Sequence, residues 1–224
     1  MKTIKNSLFV LLLITLASSS FAQSFGIKAG LNLSNMLMKD DDDTYSDDNK
    51  MLPGFHLGVV AEIPFSETFS FEPGLFLSTK GFKYSEEGTE AGETYEYKEK
   101  AVLYYIDIPL NLKANFGTGK TKFYGLFGPY IGMGLSGKYK SESTFMGETE
   151  SDNSDVKWGS NSDDDDMKRF DFGISIGAGV QFGAINVGAG YALGLINTSA
   201  YTDNGYIMKN KVLSVSVGYK FGGK

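Results

Sequence analysis

A strict two-residue alternation of side-chain type is the feature that most constrains the fold of this 224-residue chain. From 170 to 182, every even-numbered residue is apolar and every odd-numbered residue is small or polar. Successive side chains of a β-strand point to opposite faces of the sheet, so this pattern predicts a strand with two unlike faces. Seven further segments repeat the alternation, and they begin near residues 25, 55, 69, 102, 123, 185 and 213. Each predicted strand is long enough for the roughly 9–11 residues of a tilted membrane-spanning strand.

The connections between the predicted strands alternate between short and long. Short turns cover 64–68, 117–121 and 183–184, whereas long polar loops join the other strands. The four long loops contain 22 of the 27 acidic residues, and runs of like charge stay in water. Short turns at one end and long loops at the other are typical of outer-membrane barrels, so the pattern predicts a barrel with one acidic, solvated rim.

The composition of the two strand faces decides whether the apolar side chains point into the barrel or out of it. Along 173–194 the small face is mostly glycine and carries no charge, although a water-facing surface usually carries Lys and Glu. An eight-stranded barrel is only wide enough to be filled by side chains, and the bulky apolar face would overfill it. The sequence therefore predicts an all-β, eight-stranded antiparallel up-and-down transmembrane β-barrel. The alternative is a soluble barrel whose apolar face points inward.

Aromatic residues cluster near the ends of the predicted strands, as expected of belts at the two membrane–water interfaces. The belt beside the short turns comprises Phe25, Phe69, Phe71, Phe116, Phe123, Phe182, Tyr219 and Phe221. Candidates for the belt at the other rim are Phe55, Tyr104, Tyr139, Phe170 and Tyr201. Both belts are expected on the outer surface of the barrel.

Residues 1–22 have the features of a signal peptide, which we exclude from the fold. Lys2 and Lys5 give a basic start, an apolar core follows at 8–16, and Ser20 and Ala22 are small. The alternative, an uncleaved anchor helix, would need a longer apolar core. Residues 23–224 then form one outer-membrane β-barrel domain. The chain has no Cys, which excludes disulfides and cysteine-based metal sites.

Four stretches of the chain follow a recognisable pattern. They are 25–34 (FGIKAGLNLS), 104–113 (YYIDIPLNLK), 125–132 (GLFGPYIG) and 217–221 (VGYKF). Together they resemble the PorT-like outer-membrane β-barrel proteins of Bacteroidetes over almost the whole of 23–224. The resemblance implies an eight-stranded outer-membrane barrel with both termini in the periplasm. The family's namesake takes part in protein export across the outer membrane, and no catalytic residue comes with the resemblance.

Several charged residues share the small, inward face of the predicted strands. They are Lys28, Glu62, Glu72, Lys80, Asp107, Lys113, Arg169, Asp171 and Lys220. Charges removed from bulk water must be paired or hydrogen-bonded, so we expect an interior plug of ion pairs. A narrow polar conduit is the alternative. His56, the only His, is predicted to join a lumenal polar network rather than to act as a catalytic base, which would need Asp or Ser nearby.

Two acidic runs, Asp40–Asp43 and Asp163, Asp164, Asp165, Asp166, offer the oxygen ligands that Ca²⁺ prefers. Neither run has the glycine and terminal Glu of a helix–loop–helix calcium site. A solvated acidic rim is therefore the expectation, and a Ca²⁺ site is the alternative. Trp158 is a candidate partner anchor if it is exposed. No cofactor site is predicted.

These features predict an integral outer-membrane protein with a structural or interaction role. Its expected partners are membrane lipid and other proteins of the envelope, and we expect the barrel to be a monomer. An accessory component of protein secretion or a minor small-solute porin is the alternative, while the single His argues against a barrel enzyme. The net charge of −6 and the acidic rim argue against nucleic acid as a partner.

Overall fold

The computed structural model describes residues 23–90, 93–117 and 119–222, so the predicted signal peptide lies outside the described residues. These residues form nine β-strands and two short 3-10 helices, Tyr45–Asp48 and Asp203–Gly205. The strands are β1 (Ser24–Lys39), β2 (Leu52–Pro64), β3 (Phe69–Glu90), β4 (Glu93–Phe116), β5 (Thr121–Phe145), β6 (Glu148–Asp155), β7 (Phe170–Phe182), β8 (Ile185–Gly194) and β9 (Ile207–Phe221). No helix in the described ranges is long and apolar enough to cross a membrane.

Eight of the nine strands close into a ring in which neighbouring strands pair antiparallel. Strands β1 and β9 pair from Phe25↔Phe221 to Lys39↔Ile207 and so join the two ends of the described chain. Strand β5 pairs with both β4 and β7, and β6 lies outside the ring beside β5. The prediction of an eight-stranded antiparallel barrel is confirmed. Short connections follow β2, β4 and β7 at one end, the short-turn end, and we call the opposite end the loop end.

The outer surface of the ring is apolar and exposed, whereas the inner surface is polar and buried. On β1, Leu31 is 70 % exposed, but Asn32 beside it on the inner face is 2 % exposed. Large apolar side chains are exposed in the same way around the ring, from Phe25 to Phe221. Such an apolar band matches the hydrocarbon of a bilayer and would be unfavourable in water. The apolar strand face therefore points outward, as the sequence predicts.

Strands β3 to β6 continue beyond the ring at the loop end. Strands β3 and β4 stay paired from Phe69↔Ala114 to Glu90↔Glu93, so the long polar loop predicted between the third and fourth strands is wrong and two paired strands take its place. Aromatic residues at alternate positions of β4 favour extended backbone here. We call the part formed by residues 81–90, 93–103, 137–145 and 148–155 the sheet extension.

Strand β6 is absent from the predicted set because it contains no apolar residue. It returns along β5 after a two-residue turn in which Met146 and Gly147 have φ of 52° and 81°. Hairpin turns with two positive φ values favour Asn-Gly, so Met-Gly gives no sequence signal.

An irregularity in β5 reverses the alternation of its side chains. Tyr104 pairs with Ser136, but Tyr105 pairs with Gly134, which makes Leu135 an extra residue. Beyond such a bulge the other set of side chains points inward. Tyr139 therefore packs against the buried cluster inside the mouth, and its predicted place in the outer aromatic belt is wrong.

Candidate functional site

The inward side chains of β4 show how the lumen is filled from one end to the other. They follow one another at steps of about 7 Å, because every second residue of a strand shares a face. From the loop end, Leu103 and Tyr105 lie in an apolar layer, and Asp107 forms an ion pair. Asn111 then lines a cavity, and Lys113 belongs to a second ionic cluster. The lumen thus has four layers.

The turn-end cluster is the ionic layer nearest the short turns, and it links five strands of the ring. It consists of Lys28, Glu62, Glu72, Lys113 and Lys220. The Lys113 Nζ lies 2.9 Å from Oε2 of both Glu62 and Glu72, and Lys28 also pairs with Glu72. The Lys220 Nζ lies 3.0 Å from Glu62 Oε2. The void at this cluster is about 10 Å³, scarcely room for one water molecule, so the cluster blocks the lumen.

The mid-lumen cluster is built around a buried lysine. The Lys80 Nζ lies 2.8 Å from Asp107 Oδ1 and 2.9 Å from Asp171 Oδ2. The same Asp171 oxygen accepts hydrogen bonds from the Tyr130 hydroxyl at 3.0 Å and from Asn210 Nδ2 at 2.9 Å. Buried charges are tolerated when they are paired and hydrogen-bonded in this way.

Two tyrosine rings enclose the ammonium group of Lys80. Its Nζ lies 4.6 Å from the ring centroids of both Tyr105 and Tyr130, within the range of cation–π contacts. Tyr105 is fully buried and also belongs to the apolar layer next to the mid-lumen cluster. The ionic and apolar layers are therefore in direct contact.

A cavity of about 180 Å³ lies between the two ionic clusters. Gly177, Gly188 and Gly190 leave the walls at β7 and β8 without side chains, which explains the empty space. Sites for drug-sized ligands usually exceed about 300 Å³, so this cavity has room for several waters but not for a large solute. Residues of both ionic clusters line the cavity, with Lys28 and Glu72 from one cluster and Lys80 and Asp107 from the other.

His56 lines this cavity as part of a hydrogen-bonded network. Its Nδ1 lies 2.8 Å from Asn32 Oδ1, and its Nε2 lies 2.9 Å from Ser216 Oγ. The Asn32 Nδ2 donates to the backbone oxygens of Phe55 and Thr79, which directs its Oδ1 toward His56. This network assigns the proton to His56 Nδ1, so Ser216 donates to Nε2. The arrangement is the lumenal polar network that the sequence predicts.

An apolar cluster, the loop-end plug, closes the lumen at the loop end. Its buried members are Met36, Met38, Phe82, Ala101, Leu103, Tyr105, Val156, Met167 and Met208. The segment 156–169 turns back into the mouth, where the backbone N–H of Gly159 donates to Met167 at 2.9 Å. Trp158 packs edge-on against Tyr105, with ring centroids 5.6 Å apart. This segment therefore supplies part of the closure.

The face of a strand that carries apolar side chains changes from the outer face to the inner face where the strand reaches the plug. On β1, the odd-numbered Leu31 and Leu33 are exposed on the outer surface, whereas the even-numbered Met36 and Met38 are buried inside. This inversion marks the level at which the apolar environment moves from outside the barrel to inside it.

Residues 21–200 match the family model of the outer membrane protein beta-barrel domain. The chain belongs to this family. No curated protein matches the chain. Similar solved structures include Ail of Yersinia pestis, at 18 % identity over 90 % of this chain and 100 % of that chain (TM-score 0.34). The Neisserial surface protein NspA has 13 % identity over 88 % and 97 % (TM-score 0.35), and OprG of Pseudomonas aeruginosa has 14 % over 90 % and 97 % (TM-score 0.43).

Most charged residues predicted for the lumen of this outer-membrane barrel lie in its two ionic clusters. Arg169 does not: it is exposed, and its Nη1 donates to the backbone oxygen of Gly134 at 3.2 Å. It precedes β7 at the mouth, where water solvates it. Sequence reasoning missed Tyr105, Tyr130 and Asn210. Alternation along β4 and β5 could have found the two tyrosines, whereas Asn210 precedes the predicted start of its strand.

The acidic run Asp163–Asp166 of the outer-membrane barrel lies in a tight loop. Oxygens of Asp164 and Asp165 accept hydrogen bonds from Asn161 at 2.7 and 2.9 Å, and an Asp166 oxygen accepts the Lys157 N–H at 2.8 Å. Within the described ranges, no three His, Asp or Glu side chains converge as metal ligands would. The solvated acidic rim stays a prediction, with calcium binding by Asp163, Asp164, Asp165 and Asp166 as its alternative.

Trp158 does not meet the condition for a partner anchor, because it is not exposed. Its ring is partly buried against Tyr105 in the plug. The paired backbone of the segment 156–169 holds the tryptophan in the mouth of the barrel, where apolar contacts replace water.

Proposed function

We propose that this outer-membrane barrel is a non-conducting protein that acts through contacts made at its loop end. The observation that carries the proposal is the filled lumen. The turn-end cluster, the mid-lumen cluster and the loop-end plug each occupy a separate level, so a solute would have to disrupt all three. The outer rows of the sheet extension, in contrast, project beyond the plug and are largely exposed.

The proposal places the loop end outside the cell and both termini in the periplasm. The start of β1 and the end of β9 lie together at the short-turn end. Bacterial outer-membrane barrels have short periplasmic turns and longer extracellular loops, which supports this orientation. The acidic loops and the sheet extension then face the surroundings of the cell, and the apolar band contacts membrane lipid.

An accessory role in protein secretion is the alternative, and the resemblance to PorT-like proteins favours it. The resembling stretch at 104–113 is the part of β4 that lines the mid-lumen cluster, the cavity and the turn-end cluster. We therefore expect members of that narrower family to share the side chains that fill this lumen. In this alternative the barrel is also a monomer with envelope protein partners, but it forms part of a larger assembly.

The proposal assigns no reaction to the His56–Ser216 pair. An acyl-transfer site needs N–H donors that stabilise an oxyanion. Ser216 lies on a strand with paired neighbours on both sides, Gly30 on β1 and Gly188 on β8, which take up the backbone hydrogen bonds there. Together with Asn32, the pair instead links β1, β2 and β9 across the lumen.

Reconstitution of the purified mature chain in planar bilayers tests the main proposal. We expect no steady single-channel current, while a known porin in the same bilayers conducts. Steady current steps from the purified chain would overturn the proposal and support the porin alternative. A pull-down from outer membranes in mild detergent separates the secretion alternative, because a stable assembly would contain a stoichiometric envelope partner.

Calcium binding at the loop end is a separate proposal with its own test. Calorimetric titration with Ca²⁺ compares the mature chain with a variant in which Asp163, Asp164, Asp165 and Asp166 are all replaced by Asn. Saturable heat that is lost in the variant would establish the site. Absence of heat in both proteins would leave a solvated acidic rim.

A further inference from the structure

The charged side chains of the sheet extension are divided between its two faces. The inward face carries three neighbouring rows, and each row takes one residue from β3, β4, β5 and β6 in that order. The rows are Tyr84, Glu99, Ser141 and Asp152; Glu86, Tyr97, Ser143 and Glu150; and Gly88, Tyr95, Phe145 and Glu148. These positions hold five carboxylates and four aromatic rings, and none is Lys or Arg.

The opposite face of the sheet extension has the reverse composition. It carries five lysines, namely Lys83, Lys98, Lys100, Lys138 and Lys140. Two acidic residues on this face form salt bridges: Glu96 pairs with Lys98 at 2.6 Å and Asp155 with Lys138 at 3.3 Å. Charge on the opposite face is therefore largely balanced.

The carboxylates of the inward face have no such balance. Among the described side chains, none of Glu86, Glu99, Glu148, Glu150 and Asp152 forms a salt bridge. Like charges gathered on one face repel one another, so a cation placed on this face would be favoured. The unbalanced charge is fixed in place by a paired four-stranded sheet rather than by a mobile loop.

Aromatic rings lie between these carboxylates. The rings of Tyr84 and Tyr97 have centroids 6.2 Å apart, and the Tyr84 hydroxyl donates to Glu86 at 2.8 Å. The Tyr95 hydroxyl donates to the other oxygen of Glu86 at 3.1 Å. Aromatic faces attract Lys and Arg side chains and also cover their aliphatic stems. Rings and carboxylates together thus suit a cationic side chain better than a free metal ion.

From this arrangement we infer that the inward face of the sheet extension binds an extended, lysine- or arginine-bearing polypeptide segment. The inference rests on the proposed role of the loop end in surface contacts and names the chemistry of the partner. On β6 the carboxylates recur at every second residue, Glu148, Glu150 and Asp152. An extended segment repeats its side chains at the same spacing of about 7 Å, so basic residues at alternate positions match the carboxylates one by one.

A second copy of this chain does not fit the same surface. Two copies joined along β6 would bring together two exposed strands whose charges are all negative. Like charges directly opposite each other destabilise strand pairing. The outer edge of β6 is thus protected against self-association, as edge strands usually are, while a basic segment meets no such barrier.

Binding of a labelled peptide to the purified mature chain in detergent tests this inference. The probe is a fluorescein-labelled decapeptide of alternating Lys and Ser, and fluorescence anisotropy measures its affinity at low salt. Exposed ion pairs are individually weak, so we expect the triple variant E148Q/E150Q/D152N to lose about tenfold in affinity. A peptide with the same composition but all Lys residues in one block is expected to bind more weakly than the alternating one.

The matched control removes the same amount of charge from the opposite face, in the triple variant E87Q/E96Q/E142Q. We expect this variant to bind the peptide with nearly unchanged affinity. Equal losses in both triple variants would overturn the inference, because binding would then follow net charge alone. Absence of saturable binding to the unmodified chain would also overturn it.

The two proposals fail in different experiments. A chain that carries no bilayer current but does not bind the alternating peptide contradicts only the peptide site. Steady current from the same preparation contradicts the proposed function, whatever the peptide does. Neither triple variant touches the lumen, so both are expected to keep the barrel closed.

Discussion

The turn-end cluster and the loop-end plug close the same barrel with opposite chemistry. In the turn-end cluster, lysines and carboxylates fill a lumen whose outer surface faces lipid. In the plug, Met36, Met167 and Met208 fill a lumen whose outer surface faces water. At each of these two levels, one surface of the barrel is polar and the other is apolar. Lipid around the barrel favours an apolar outer surface and a polar lumen, whereas water around it favours the reverse. The inversion along β1 shows that a single strand follows this rule at both levels.

The comparison predicts that the ionic end depends most strongly on single side chains. Glu72→Ala leaves the buried ammonium groups of Lys28 and Lys113 without one of their carboxylates. Breaking a buried ion pair typically costs about 3–5 kcal/mol, so we expect a large loss of barrel stability. Guanidinium unfolding in detergent, followed by circular dichroism and by heat-modifiable gel mobility, measures the loss.

The exposed pair of Lys98 and Glu96 provides the control for this variant. Glu96→Gln removes one partner in water, where such pairs contribute little, and the unfolding midpoint should not move. If Glu72→Ala unfolds at the same denaturant concentration as Glu96→Gln, the ionic cluster does not support the barrel as described.

Truncation in the plug is expected to have a smaller and local effect. Met167 is fully buried, and Met→Ala in a core costs about 2 kcal/mol or more. Trp158 is the only Trp of the chain and lies in the plug, so its fluorescence reports this region alone. We expect Met167→Ala to lower the midpoint seen by fluorescence while the circular dichroism midpoint of the ring stays nearly unchanged.

Met146→Ala is the matched control, since Met146 is 63 % exposed at the tip of the β5–β6 hairpin. It should leave both midpoints unchanged. Parallel shifts of both midpoints in Met167→Ala would show that plug and ring unfold as one unit.

A pH titration sharpens the comparison outside the membrane-spanning part. The hydrogen bond to Glu86 raises the pKa of the partly buried Tyr84 from 10.0 to about 12. Because the pKa is higher in the folded chain, the stabilisation is complete below pH 10 and is lost as the pH rises toward 12. Glu86→Gln should return the pKa of Tyr84 toward 10.0, measured by ¹³C NMR of labelled tyrosine side chains. Glu87→Gln, on the opposite face, should leave it unchanged.

The smallest expected effect concerns conductance. The double variant W158A/M167A opens the plug but leaves both ionic clusters intact, so bilayers containing it should still show no steady current. Steady current from this variant would mean that the plug alone seals the barrel and that the ionic layers admit ions.

The alternation of apolar and small residues was sufficient to predict the ring, its outward apolar face and the charged residues of the lumen. It failed wherever the environment or the register changed. Met36 and Met38 lie out of phase with Leu31 and Leu33, because the apolar side moves inward above the lipid. Leu135 shifts the phase of β5 without any composition signal. Strand β6 has no apolar residue, so only its pairing with β5 defines it.

The pairing of β1 with β9 also has a consequence for how the chain folds. Phe25 lies beside Phe221, so the contact that completes the ring joins residues at opposite ends of the chain. Contacts so distant in sequence form late and slowly, because most of the loop-closure entropy is lost before they contribute. Strand β1 can therefore pair with β9 only after β9 is available. Without β9, the sheet would have two edges with unpaired backbone groups, and it could not insert stably into a bilayer.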